Sequence, residues 1–131
     1  MKERAAELRA EGRKGAKKAD GLQAILDRIA DMPPGDRALA ERVHATVTAL
    51  APDLSPKNWY GMPAYANDAS NVVAFFQDAD KFKSRYLTFG VSDDATVDDA
   101  DTWPASYAIK EWTPAVEKKV TALVRAATSK A

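Results

Sequence analysis

The stretch from residue 59 to residue 90 most constrains what this chain can fold into. It holds one of the three Trp, three of the four Tyr and all four Phe. Aromatic and β-branched residues are enriched in strands, and runs typical of strands concentrate here. The chain before it and the chain after it carry helical spacing instead. We therefore expect one sheet, built mainly from this stretch, with helices supplied from both sides of it.

Two amphipathic helices are predicted before this stretch. Asp20 is a candidate N-cap for the first, and Pro33 and Pro34 end it. Asp36 is a candidate cap for the second, which Pro52 ends. Their apolar stripes, at helical spacing, are Leu22, Ile25, Leu26 and Ile29 in the first and Leu39, Val43, Val47 and Leu50 in the second. Neither stripe can be buried by the pair alone, so both should pack on the sheet.

Four strands are predicted, over residues 58–66, 71–77, 84–90 and 106–110. Gly61 and Pro63 interrupt the first, and proline cannot donate to a ladder, so it should be an edge strand or carry a bulge. The second is nearly continuous in apolar residues, which is typical of a central strand. From these strands we expect Val73, Phe75, Leu87 and Ile109 to be buried, together with Val120 and Leu123 of a last helix.

The last helix has a strong start signal, Thr113 followed by Pro114. The predicted fold class is therefore α+β. A small antiparallel sheet, a meander plus a short fourth strand, packs against an N-terminal helix pair and a C-terminal helix. Residues 1–19 are predicted to be a basic mobile arm or frayed helix, and residues 20–128 a single domain. A chain of 131 residues is long enough for one core without staples.

Composition narrows the function classes. Formal net charge is zero, with 19 basic and 19 acidic residues, which argues against nucleic acid as a partner. Zero Cys excludes disulfides and thiolate chemistry. We see no apolar leader and no run long enough to span a membrane, so the expected location is the cytoplasm. No catalytic motif is present.

His44, the only His, is either a general base or metal ligand, or a half-exposed helix histidine. The absence of a second His favours the latter.

Three segments resemble the YdhG-like family, small bacterial domains of unknown function. They are Trp59-Tyr60-Gly61-Met62-Pro63-Ala64-Tyr65, then Lys81-Phe82-Lys83-Ser84-Arg85-Tyr86 with Phe89-Gly90, and the segment from Trp103 to Thr113. The resemblance covers about residues 20–127. It implies a small antiparallel sheet with helices packed on it. It also implies, for some members, the role of a frataxin-like iron chaperone that uses surface carboxylates.

Two candidate sites follow, and we assign no catalytic residue. The first is a ligand-binding recess formed by a bend at Gly61-Met62-Pro63. Trp59, Tyr60 and Tyr65 would border it, and Arg85 would anchor a carboxylate or phosphate at its mouth. The alternatives are that these aromatics are core or that Pro63 only protects an edge strand.

The second candidate is a weak, exposed iron site, since hard cations take carboxylate oxygens. It would use Asp93, Asp94, Asp98, Asp99 and Asp101. A solvated acidic loop is the alternative there.

The predicted function is a non-enzymatic intracellular binding module, and the resemblance implies a weak carrier of iron or another metal. The alternative is a small-molecule pocket, conceivably catalytic, around Gly61-Met62-Pro63-Ala64-Tyr65. Iron is the only cofactor considered. The partner would be an unknown small molecule or metal ion, and the chain a monomer or a homodimer.

Overall fold

A computed structural model describes residues 18–95 and 97–128. The predicted basic arm lies outside the described residues, except residues 18 and 19, which are already helical. Helix α1 covers residues 18–30 of the described chain. The other elements, in chain order, are α2 (Pro34–Leu50), β1 (Ser55–Trp59), β2 (Met62–Ala66), β3 (Val72–Gln77), β4 (Leu87–Val91), β5 (Ser106–Ile109) and α3 (Pro114–Thr128).

The five strands form one antiparallel sheet in the order β1-β2-β3-β4-β5. Every strand therefore pairs with its neighbour in sequence, and β1 and β5 are the edges. The predicted α+β class, an antiparallel meander with helices at both ends of the chain, is confirmed.

All three helices contribute to one hydrophobic core with one face of the sheet. The helices contribute, among others, Ile25 from α1, Val43 from α2 and Val124 from α3. The central strands contribute Phe76 and Phe89. Because successive side chains of a strand point to opposite faces, the residues that alternate with these two point away from the helices. Phe75, next to Phe76, is half-buried and is not part of that core. The protein is thus a two-layer structure with one face of its sheet free of the described helices.

The first predicted strand is in fact two strands and the turn between them. Trp59 pairs with Met62, which leaves Tyr60 and Gly61 as a two-residue loop. Both have positive φ, 54° and 80°, the arrangement of a type I′ hairpin turn. The irregularity in β2 falls between Tyr65 and Ala66, not at the predicted bend.

Pro63 lies in an inner strand. Of the two predicted alternatives the edge strand is therefore wrong, and the strand instead carries an irregularity, two residues after Pro63. In a two-residue hairpin the residues flanking the loop form a hydrogen-bonded pair, and the next pair is not hydrogen-bonded. That next pair is Asn58 and Pro63. On the other side, pairing of β2 with β3 begins only at Ala64. The missing N–H of Pro63 therefore leaves no ladder bond unmade.

Four further details of the structure differ from the prediction. Asp20 lies inside α1 and is not its N-cap. Asp36 is within α2, where its Oδ2 accepts a hydrogen bond from the Asp80 amide at 2.9 Å. β4 starts at Leu87, three residues later than predicted. Phe75 is half-buried, so its predicted place in the core belongs to Phe76. The other expected core residues are confirmed: Val73, Leu87, Ile109, Val120 and Leu123.

The start of α3 is confirmed at Thr113. Its hydroxyl oxygen accepts a hydrogen bond from the Val116 amide at 3.2 Å. Pro114 is the first residue of the helix, where its missing N–H costs nothing.

Gly21 marks the closest approach of α1 to the sheet. A Cβ at this position would overlap the carbonyl oxygen of Pro56. Alanine normally stabilises a helix relative to glycine by about 1 kcal/mol. Here we expect Gly21→Ala to lower the free energy of unfolding by about 1–3 kcal/mol, as overpacking does. Gly35→Ala in α2 is the matched control, because nothing lies within 4 Å of its Cβ. Urea unfolding of both variants checks this, and a stabilised Gly21→Ala protein would contradict the close contact.

Candidate functional site

Three aromatic rings gather on the helix-free side of the sheet, at the β1–β2 hairpin. The Trp59 ring centroid lies 5.5 Å from that of Tyr60 and 5.4 Å from that of Phe75. Trp59 and Phe75 are half-buried, whereas Tyr60 is 82% exposed. We call these three residues the aromatic face. It combines two half-buried rings with one ring that is almost fully accessible to solvent.

The hairpin turn that presents Tyr60 is anchored from the helix side. The Nε of Arg28 in α1 donates to the carbonyl oxygen of Gly61 at 3.1 Å. The same guanidinium donates through Nη2 to Asp78 Oδ1 at 2.7 Å. Asp78 is only 1% exposed. Arg28 therefore ties α1 to the hairpin and to the end of β3, and so fixes the position from which Tyr60 projects.

A cation lies beside the aromatic face. The end of the Lys81 side chain lies against Gly61, in the space where a Cβ would stand. Because a lysine side chain is flexible, the positive φ of Gly61 is the stronger reason for a glycine there. The Lys81 amide donates to Asp78 Oδ2 at 3.3 Å. Lys57 shares the same face, because it alternates with Asn58 and precedes Trp59 by two residues in β1.

The strands contribute one amine and no carboxylate to this face. None of the five strands contains Asp or Glu, and Lys57 is their one charged residue. Among residues 18–95 and 97–128, Arg28 and Asp78 form the only ion pair. No carboxylate in that part of the chain therefore pairs with Lys57 or Lys81.

The structure separates the predicted ligand-binding residues. Trp59, Tyr60, Gly61 and Met62 lie together at the hairpin. Pro63 and Tyr65 are buried, and Tyr65 belongs to the core on the helix side. The predicted recess bordered by Trp59, Tyr60 and Tyr65 is therefore not formed. The turn at Tyr60 and Gly61 restarts the strand alternation, which places the Tyr65 ring on the face opposite Trp59.

Arg85 lies in the β3–β4 connection and is exposed. Its guanidinium carbon is 5.7 Å from the centre of the Tyr86 ring. In the described part of the chain, this is the only contact found for its side chain. The cation that lies against the hairpin, at Gly61, is Lys81.

Tyr65 instead forms a pair with His44 that sequence reasoning missed. The Tyr65 hydroxyl lies 2.7 Å from His44 Nδ1, and the two rings stack with centroids 5.9 Å apart. Burial raises the pKa of Tyr65 and lowers the pKa of His44. Both side chains are therefore neutral at pH 7. The available signal was the position of His44 beside the apolar stripe of α2, next to Val43.

The predicted metal-binding residues lie in an irregular segment after β4. Asp93 and Asp94 are in a turn in which Ser92 O accepts from the Ala95 amide at 3.0 Å. Asp98, Asp99 and Asp101 follow without helical structure. Within the described ranges, which leave out Thr96, no three His, Cys, Asp or Glu side chains are grouped to hold a metal ion.

Comparisons with family models, with curated proteins and with solved structures gave no match. The resemblance to the YdhG-like family therefore rests on the motif residues alone. None of the described helices is long and apolar enough to cross a membrane.

Proposed function

We propose that this protein is a binding module and that its aromatic face takes a flat, negatively charged ligand. The observation that carries the proposal is the exposure of Tyr60 at a positive φ, beside Trp59 and Lys81. A non-glycine residue with positive φ is uncommon. Asn or Asp would satisfy a type I′ turn at this position more easily, so the turn alone does not account for a tyrosine.

The chemistry of the face suits a heterocyclic ring that bears a phosphate or a carboxylate. Stacking on an aromatic side chain contributes about 1–3 kcal/mol per base in nucleic-acid complexes. Lys57 and Lys81 supply positive charge next to the rings. A mononucleotide combines both features at the scale of this surface. An open face leaves much of a ligand solvated, which favours weak and rapidly reversible binding.

Binding is proposed here, not catalysis. The described pair of titratable groups with shifted pKa values, His44 and Tyr65, lies on the opposite side of the sheet. The rings and amines of the aromatic face can hold and orient a ligand.

A cytoplasmic location is part of the proposal, because a chain with zero Cys needs no oxidising compartment.

The proposal also gives a reason for two of the segments that resemble the YdhG-like family. Residues 59–65 supply the exposed rings, and residues 81–86 supply the cation that packs on Gly61. The two segments meet at one end of the sheet although 15 residues separate them. A shared binding surface accounts for their occurrence together.

The test is an NMR titration with adenosine monophosphate that follows the indole N–H signals of the three Trp. We expect the Trp59 signal to shift and that of Trp103 not to shift. Adenosine alone and inorganic phosphate alone should bind more weakly, because each offers half of the contacts.

Tyr60→Asn is the decisive variant, because Asn-Gly favours the same type I′ turn while removing the ring. It should weaken binding by about tenfold or more, the equivalent of one stacked ring. Lys81→Gln should weaken binding of the nucleotide and not of adenosine. Trp103→Ala, which removes another exposed aromatic, is the control and should bind as the wild type does. A Trp59 signal that none of the three compounds moves would overturn the proposal.

A further inference from the structure

A concave surface lies on the helix side, between α1 and α2. It is a cavity of about 440 Å³, within the usual range for small-molecule sites. Its apolar wall includes Leu26, Ile29 and Pro34, and its polar wall includes Arg37, Glu41 and His44. Leu26 is 40% exposed, one of the few large hydrophobic side chains left open to solvent. An apolar wall with a few polar groups is the usual composition of a ligand site.

His44 enters this cavity in a fixed orientation. Its Nδ1 is bound to the Tyr65 hydroxyl, which is itself buried and neutral because burial raises the pKa of Tyr65. That contact is the only hydrogen bond found for the hydroxyl in the described chain. A buried hydroxyl proton without an acceptor is costly, which favours the arrangement in which the hydroxyl donates to Nδ1. A neutral His44 then carries its own proton on Nε2. Nε2 has no hydrogen-bond partner among the described residues and is therefore a donor held ready for another molecule.

The polar wall carries charges of both signs. Arg37, Glu41 and His44 are spaced i, i+4 and i+7 along α2, so they lie on one face of the helix. Neither Arg37 nor Glu41 forms an ion pair within residues 18–95 and 97–128. A guanidinium and a carboxylate are thus both left for a ligand, with the Nε2–H donor one turn beyond them.

We infer that this cavity binds a small zwitterion with an apolar body, of the class of apolar α-amino acids. Arg37 would take the carboxylate, since the guanidinium fork fits two carboxylate oxygens. Glu41 would take the ammonium group. The apolar side chain would lie against Leu26 and Ile29, and His44 would donate to the carboxylate from Nε2. A simple anion fits less well, because Glu41 would repel it, and a simple cation is repelled by Arg37.

This site is independent of the aromatic face, which lies on the other side of the sheet. Either proposal can fail while the other stands. The two are separated by which signals move: Trp59 for the aromatic face, and the amides of α1 and α2 for the cavity.

The experiment is an NMR titration of the whole chain with L-leucine, compared with 4-methylpentanoate and 3-methylbutylamine. These two probes keep the apolar body and only one of the charges. We expect L-leucine to shift the signals of Leu26, Ile29 and the His44 ring, and to bind at least about tenfold more tightly than either probe. Equal binding of 4-methylpentanoate would overturn the zwitterion assignment, and no shift with L-leucine would overturn the site.

Variants of the polar wall complete the test. Arg37→Gln and Glu41→Gln change exposed residues, so the fold should be kept, and each should weaken L-leucine binding by about tenfold or more. Arg42→Gln, on the same helix but outside the cavity, is the matched control and should leave binding unchanged. Tyr65→Phe keeps the ring and frees His44 Nδ1. It should weaken binding and change the tautomer that the His44 ¹⁵N shifts report, a readout that a purely structural role of the hydroxyl would not predict.

Discussion

Replacing Phe76 with alanine will lower the free energy of unfolding by about 3–5 kcal/mol. The Phe76 ring is fully buried, between the sheet and the helices. Its removal deletes apolar contacts and leaves a cavity that rigid strands cannot close. Domains of this size have a free energy of unfolding of about 5–15 kcal/mol in total, so this single change removes a large part of the stability.

Phe75→Ala is the matched control one residue away. The Phe75 ring lies on the opposite face, is half-buried and contacts the edge of Trp59. Removing it loses part of one aromatic contact and opens no enclosed cavity, so we expect roughly 1–2 kcal/mol. Urea unfolding with a common slope measures both variants. Equal losses for Phe75→Ala and Phe76→Ala would contradict a sheet with helices on one face only.

Removing Arg28 is the second change with a large expected effect. Arg28→Met leaves the Asp78 carboxylate almost fully buried without its charged partner. Breaking a buried ion pair from one side costs about 3–5 kcal/mol. The hairpin turn also loses the donor to the Gly61 carbonyl oxygen. Arg28→Lys should not restore stability, because one ammonium group cannot reproduce the planar fork that reaches both acceptors.

The double variant Arg28→Met with Asp78→Leu tests the physical reason. Replacing both partners with apolar residues removes the unpaired charge, and such exchanges are often neutral or stabilising. We expect it to recover most of the loss, as measured by denaturant unfolding of all four members of the cycle. If the double variant is as unstable as Arg28→Met, the loss comes from packing of the arginine stem and not from the buried carboxylate.

The helices and most of the strands could be predicted because their signals are local. The apolar stripes of α1 and α2 repeat at helical spacing, and Thr113-Pro114 marks the start of α3 by capping chemistry alone. The hairpin could not be predicted in the same way. Tyr60-Gly61 is not one of the usual dipeptides of a type I′ turn, and part of what holds it comes from Arg28, 33 residues away from Gly61. Without that turn, the proline at position 63 indicates an edge strand or a bulge.

The candidate sites depend still more on distant contacts. Tyr65 and His44 are 21 residues apart and meet only because α2 crosses over β2. Neither residue carries a local pattern that announces the other. Lys81 lies against Gly61 although the two are 20 residues apart in the chain. By contrast, the five Asp of residues 93–101 are visible in the sequence. Carboxylates that are close together along the chain do not for that reason point toward one common site.

The sequential order of the sheet has a consequence for how the chain folds during its synthesis. Each strand finds its partner in the segment made just before it, since the order in the sheet is the order in the chain. Pairing can therefore proceed strand by strand as the chain leaves the ribosome, and the longest connection to be closed is the one from β4 to β5, residues 92–105. The core is different, because α3 follows all five strands in the chain and emerges after them. Until it docks, Leu87 and Ile109 lie on a sheet that is only partly covered, and this is the interval in which the nascent protein is most exposed to aggregation.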